Sequence, residues 1–224
     1  MARITINPSG LKPPETYSLL LGIVVPRPIA FVSTISASGL LNLAPYSFFQ
    51  AVCSNPPTVL FCPSRDRNGN IKHTLRNIQE TGEFVIGTVA EVMAESMNLT
   101  SATFPEDVSE FDVAGFTPVK AELVKPYLIG ESPANLECRL NRIIEISDKP
   151  AGGCIVIGEV LRIHIREEYY DHLRRGINPR VNDVIGRLGG SDYCTIKDSF
   201  TMPHPRFNAE GEIIADSYKR IADH

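Results

Sequence analysis

The chain of 224 residues is 43% hydrophobic and 21% charged, the balance of a globule that buries its own core without disulfides or a structural metal. Lys and Arg number 22 against 26 Asp and Glu, a formal charge of −4, which argues against a nucleic-acid-wrapping domain with its clustered basic excess. No apolar stretch reaches the ~18 residues of a membrane span, and Met1 to Pro8 lacks an apolar leader with a cleavage site, so a cytoplasmic protein that neither enters membranes nor binds nucleic acid is expected.

The first strand signal is Ile29 to Ile35, β-branched and aromatic, closed by a Ser38-Gly39 turn. It follows Arg27, which stands between Pro26 and Pro28 in a backbone that proline keeps extended. Asn42 to Phe49 is too polar at Asn42 and Ser47 for a plain core strand and too aromatic for a plain loop. Two readings stay open for it: a strand with a proline at its edge, or the wall of a site for a flat aromatic ligand. Thr58 to Cys62, boxed in by prolines, predicts the next strand, and Ser64-Arg65-Asp66-Arg67 follows it.

The clearest helix is expected over Asn70 to Gly82. Ile71, Leu75 and Ile78 recur at i, i+4, i+7, Asn70 is placed to cap the start, and Gly82 suits the position just past the end. Lys72, His73 and Thr74 occupy its first turn, where unpaired N–H groups and the positive end of the helix dipole favour a phosphate. A solvated basic face with ordinary capping is the other reading.

Glu83 to Val89 predicts a strand, and Glu91 to Asn98 and Glu106 to Phe111 weaker helices. Leu136 to Ile146 and Cys154 to Ile165 alternate over long runs with Gly152-Gly153 between them, which predicts an antiparallel hairpin. Gly158 inside its second arm signals a bulge or a close backbone approach. The expected fold is therefore mainly β, a barrel with helical insertions; sustained strand–helix alternation is missing, which disfavours α/β. One domain over 1–224 is expected, with the segment from about 175 as an extension.

Catalytic templates fail. There is no Gly-x-Ser-x-Gly, no phosphate-binding Gly-x-x-x-x-Gly-Lys, and the 16 glycines include no Gly-x-Gly pair, so a dinucleotide fingerprint is absent. Cys53, Cys62, Cys138, Cys154 and Cys194 form no C-x-x-C pair and are expected as core filler. The histidines are scattered, and no metal is assigned.

Taken together, Pro26 to Thr34, Asn42 to Phe49, Asn55-Pro56-Pro57, Lys72-His73-Thr74 with Asn77-Ile78, Thr81 to Phe84, Ile157 to Val160, and Gly186 to Gly190 with Tyr193 resemble the flavin reductase-like FMN-binding proteins, the flavoredoxin branch in particular. The resemblance runs from about Tyr17 to Tyr193. It implies a Greek-key split β-barrel, non-covalently bound FMN and a homodimer with the flavin near the subunit interface. It further implies an oxidoreductase that passes electrons through the flavin.

By the same resemblance, Ser33 and Thr34 meet the phosphate and ribityl chain, while Asn42 and Ala44, Pro45, Tyr46 and Ser47 line the isoalloxazine. Cys62, Pro63, Ser64 and Arg65 match the strand end beside flavin and phosphate, and Lys72 and Thr74 match the phosphate-binding helix start. Arg27 belongs to the same basic and hydroxyl cluster. No catalytic acid–base residue is named, since the chemistry belongs to the flavin.

Two departures stand out. The helix motif often carries Asp in this family where the chain has His73. The Gly-Asp-His that precedes the Gly-Glu-Val strand in many NADH-using members is replaced by the segment Gly152 to Ile157, and His164 lies beyond it. An NAD(P)H:flavin reductase, of the kind that serves a separate oxygenase, thus competes with an electron carrier that works with a redox protein and has no NAD(P)H activity. A pyridoxamine-phosphate-oxidase-like enzyme is a third reading, against which the Pro-Arg-Pro and Asn-Leu-Ala-Pro-Tyr-Ser segments speak.

Overall fold

The computed structural model describes residues 1–178, 181–215 and 219. Residues 179–180, 216–218 and 220–224, all within the expected C-terminal extension, lie outside the described set. After a short 3-10 turn, Pro8–Gly10, comes an element the sequence pattern does not announce, helix α1 (Pro13–Ile23). It starts on two prolines, whose missing N–H groups are harmless in a first turn. The Glu15 carboxylate accepts the Lys12 N–H at 2.8 Å. Only Leu21 of α1 is buried, so no apolar stripe marks the helix.

The elements that follow are β1 (Arg27–Pro28), β2 (Ala30–Ile35), β3 (Leu41–Tyr46), β4 (Phe49–Ser54), β5 (Pro57–Phe61), α2 (His73–Thr81) and β6 (Glu83–Gly87). Then come α3 (Ala94–Leu99), α4 (Glu110–Ala114), β7 (Pro118–Val119), β8 (Leu128–Ile129), and the long β9 (Ala134–Glu145) and β10 (Cys154–Ile165). Short pieces close the list: β11 (Tyr170–Asp171), β12 (Gly176–Ile177), β13 (Ile185–Arg187) and β14 (Tyr193–Thr195).

One 7-stranded sheet dominates, in the order β3-β2-β6-β9-β10-β5-β4, antiparallel throughout. Its two end strands are consecutive in the chain, with only Ser47 and Phe48 between them. The sheet therefore has to curl until its edges approach, yet β3 and β4 share no ladder. That is a split β-barrel, the mainly-β architecture expected.

Inside the curl, Ala30, Val32, Tyr46, Val59, Phe61, Phe84, Ile86, Cys138, Val156 and Val160 pack together with Leu75 and Ile78 of α2. Leu75 and Ile78 of the expected face thus close the barrel, while Ile71, which precedes the helix, packs against the same layer half-buried. Phe31, Leu43 and Val85 point the other way, into a second apolar layer with Met93, Met97, Phe111, Phe116 and Ile129. Strand β2 is buried on both faces, which is why it reads as a continuous apolar run rather than an alternating one.

The hairpin of β9 and β10 forms as expected, and Gly158 satisfies both readings of it. The register shifts between Ile157 and Gly158, and a Cβ there would lie 2.3 Å from Phe84 Cζ. Other expectations need correction. Helix α2 begins at His73 with Lys72 as its N-cap. Asn70 instead belongs to a loop held by Asp66, whose carboxylate accepts the Asn68 and Asn70 N–H groups and the Asn70 amide. Gly82 does end the helix in the left-handed region, at φ 70°.

Glu91 to Asn98 divides into a short 3-10 turn, Glu91–Met93, and α3. The helix expected over Glu106 to Phe111 starts only at Glu110, because Glu106 is drawn out to Arg76 at 2.8 Å. Core filler describes Cys138 and Cys154, but Cys53 is exposed and Cys62 and Cys194 are half-buried. No helix among the described residues is long and apolar enough to cross a membrane.

Candidate functional site

A cleft of about 830 Å³ opens between the start of α2, the edge strand β3 and the loop from Thr100 to Glu106. Its volume lies in the range of pockets that enclose a cofactor. Lys72 caps α2 with backbone alone and supplies no side-chain acceptor. The N–H groups of the first turn therefore keep their positive end toward the cleft. The Lys72 ammonium sits 5.8 Å from the centre of the Tyr46 ring, within cation–π range. Among the described residues no carboxylate comes within 4.0 Å of it. The surrounding walls desolvate the ammonium and push its pKa down, an effect that Asp66 partly opposes. A desolvated cation without a paired carboxylate is short of a negative partner.

Strand β3 contributes the second wall. It ends the sheet, so one side of its backbone has no strand to pair with, and Pro45, which lacks an N–H, is tolerated there. Asn42 is buried, and its amide donates to the Thr34 hydroxyl at 3.2 Å and the Thr74 hydroxyl at 2.9 Å. Asn77 of α2 donates to the same Thr34 hydroxyl at 3.1 Å. These bonds fix the Asn42 amide and tie β3, β2 and α2 into one rigid corner. The Tyr46 hydroxyl is buried without a hydrogen bond of good geometry, and burial raises the pKa of the phenol far above its ordinary value.

The cleft thus brings together Asn42, Ala44, Pro45, Tyr46, Arg65, Lys72 and Thr74 of the residues expected from the sequence. The others stand elsewhere. Ser33 and Thr34 have no exposed surface, and Thr34 acts from behind, through Asn42. Arg27 is buried outside the cleft. Its guanidinium donates to the Leu21 and Val24 carbonyls at 2.6 and 2.7 Å and to the Leu188 carbonyl at 2.7 Å. It fastens the end of α1 to the C-terminal segment, with Ser47 as a weaker partner at 3.4 Å. Neither Ser47 nor Cys62, Pro63 and Ser64 borders the cleft. Arg65 reaches it with its charge already committed to Glu145 at 2.9 Å and the Gly69 carbonyl at 2.9 Å.

The far wall carries no motif that sequence reasoning recognised. Thr100 to Phe104 forms it, and Glu106 latches it to α2 through Arg76, with His73 3.9 Å away. Arg76 holds the Glu106 carboxyl below its ordinary pKa. Glu110, also missed, is a nearly buried carboxyl on the cleft surface. Its only sequence signal is an acidic residue placed directly before the apolar Phe111. His164 is remote from the cleft and bonds the fully buried Glu137 at 2.6 Å. Tyr193 lies under Arg187, 4.3 Å from ring centre to guanidinium, rather than in the cleft. Among the described residues no group of three His, Cys, Asp or Glu is placed to hold a metal ion.

Comparisons with known proteins place this split barrel, with its cleft along β3, in a class of flavin-handling proteins. Residues 22–178 match the flavin reductase like domain. An uncharacterized protein of Halalkalibacterium halodurans is 35% identical over 210 residues, spanning 92% of this chain and 99% of that one. The crystal structure of nitrilotriacetate monooxygenase component B from Bacillus cereus superposes with a TM-score of 0.85 at 34% identity, covering 90% of this chain and 100% of that one. The 2-nitrobenzoate 2-nitroreductase of Pseudomonas fluorescens gives 0.82 at 33% identity, over 92% and 98%. The chain belongs to the flavin reductase-like family and is a flavin-related oxidoreductase.

Proposed function

We propose that this protein binds FMN non-covalently in the cleft and passes electrons through it as a cytoplasmic homodimer. The observation that carries the reading is the meeting of an unpaired, desolvated Lys72 with the uncapped first turn of α2 at one end of a cofactor-sized cleft. Lys72 and the first-turn N–H groups would hold the phosphate, with Thr74 supporting Asn42. The free edge of β3 from Asn42 to Tyr46 would meet the ring. Flavin, when bound, supplies the hydride- and electron-accepting chemistry; the protein supplies binding, orientation and exclusion of water. FMN is favoured over FAD because both arginines of the cleft are already neutralised, Arg65 by Glu145 and Arg76 by Glu106.

The homodimer is supported by the apolar surface beside the seam. Tyr17, Leu20 and Ile23 of α1 are exposed at 53, 49 and 74%, and Val52 of β4 at 50%. The Tyr17 and Phe48 rings lie 6.4 Å apart, next to the cleft strand. Two-fold self-association is the commonest way to cover such a face. The proposal treats 1–224 as one domain, with the segment from about 175 as an extension.

As to the electron donor, the segment Gly152 to Ile157 holds no histidine, and the missing Gly-Asp-His favours a carrier working with a redox protein. Similarity to a monooxygenase component favours a reductase serving a separate oxygenase. The purified protein should be yellow, with about one FMN per chain for one phosphate-type corner. Anaerobic bleaching by NADH or NADPH selects the reductase, and bleaching only by a redox protein selects the carrier. A colourless protein that takes up no added FMN refutes the proposal.

A further inference from the structure

The cleft holds one carboxyl to which the cofactor reading gives no task. Glu110 opens α4, is 6% exposed and forms part of the cleft surface. One of its oxygens accepts the Leu43 N–H at 3.0 Å, on the unpaired side of β3. Leu43 lies between Asn42 and Ala44, which both border the cleft. A neutral acceptor would satisfy that N–H as well, whereas an ionised carboxylate is costly to bury. Among the described residues no Lys, Arg or His nitrogen comes within 4.0 Å of the carboxyl, because His73 and Arg76 turn to Glu106.

The groups around it come from several elements. Tyr46 of β3 and His73 of α2 interact with it electrostatically, and Glu106 precedes it on the loop. Glu95 on α3 and Asp112 on α4 are exposed to solvent. Burial raises its pKa, while the Leu43 N–H and the His73 charge pull it back. A carboxyl in that balance changes protonation when a new charge appears nearby.

We infer that Glu110 is a proton-accepting group of the cleft, taking up a proton when reduction adds negative charge to a flavin held beside Asn42 and Ala44. The inference rests on the flavin reading of the cleft. Two electrons pass from the reductant to the flavin, solvent supplies one proton to the flavin, and a second proton from solvent converts the Glu110 carboxylate into the acid. Glu110 thereby couples the flavin's potential to pH.

The test is anaerobic reductive titration of the FMN-loaded protein with dithionite across about pH 5 to 9, for the natural chain and for Glu110→Gln, whose amide oxygen still accepts the Leu43 N–H. One additional proton per two electrons makes the equilibrium constant fall an additional tenfold per pH unit, about 30 mV for a two-electron couple. The natural protein should show this steeper segment and the variant should lose it. A second measurement needs no variant: the reduced-minus-oxidised infrared spectrum of the natural protein should gain a protonated carboxyl band. Parallel potential–pH lines, or a loaded protein without that band, overturn the inference alone. A protein that binds no flavin overturns the cofactor reading and this inference with it.

Discussion

Replacing Lys72 by alanine removes the one cation of the cleft that has no carboxylate partner, and the size of the effect follows from its surroundings. A charge-assisted hydrogen bond is worth about 1.5–3 kcal/mol, and the desolvation that lowers the pKa of Lys72 places this one in the upper half. FMN affinity should fall about forty- to a hundred-and-fifty-fold. Riboflavin, with the same ring and no phosphate, should bind almost unchanged. Fold stability should change little, since the Lys72 side chain makes no capping bond and its contact with the Tyr46 ring is worth about 0.5–1 kcal/mol. In a chain of this length that is a fall in Tm of about 2–4 °C at most. Fluorescence titration of the apoprotein with FMN and with riboflavin reads both affinities, and His73→Ala, which removes no unpaired charge, serves as control. Because the Lys72 pKa is lowered, its contribution is present at neutral pH and is lost as pH rises through that lowered value. Equal weakening of riboflavin and FMN would refute the placement of the phosphate.

Glu106→Gln should unlatch the Thr100–Phe104 wall from Arg76, seen as faster amide exchange over 100–106 and faster flavin release with α2 unaffected. The lowered pKa of Glu106 means that the natural latch persists above the ordinary carboxylate range and is lost as pH falls through the lowered value, so acid should mimic the variant. Gly158→Ala should drive a methyl group into Phe84, 2.3 Å from its Cζ, and cost about 1–3 kcal/mol. Thermal melts should show that loss, and a second change of Phe84→Leu should recover part of it; full stability of the single variant would refute the close approach.

The barrel was legible because its evidence is local. Alternation in β9 and β10, the apolar run of β2 and the Gly82 stop are each written within a dozen residues. At the cleft, the sequence located the corner of Asn42, Tyr46, Lys72 and Thr74, since helix starts and edge prolines have local signatures. It did not show that Arg27 and Ser33 stand away from the cleft, because a side chain's direction depends on its folded surroundings: the Leu188 carbonyl for the one, complete burial for the other. Glu110 and the Thr100 wall were missed for a related reason. Only the folding of α4 onto β3 turns an ordinary acidic residue into part of a site.

The link of Ser47 and Phe48 between the sheet's two ends has a mechanical consequence. In a closed barrel the circumference is fixed by a full ring of ladders, and widening it means breaking a row of backbone hydrogen bonds together. Here the last two edges are joined by covalent chain and not by a ladder. Rotation about a few bonds in that link lets the seam breathe while every strand pair stays intact. A change in the seam's width is therefore taken up by that link, by the Cys62 N–H bond to the Phe48 carbonyl at 2.9 Å and by side-chain contacts, rather than by a whole row of ladder bonds.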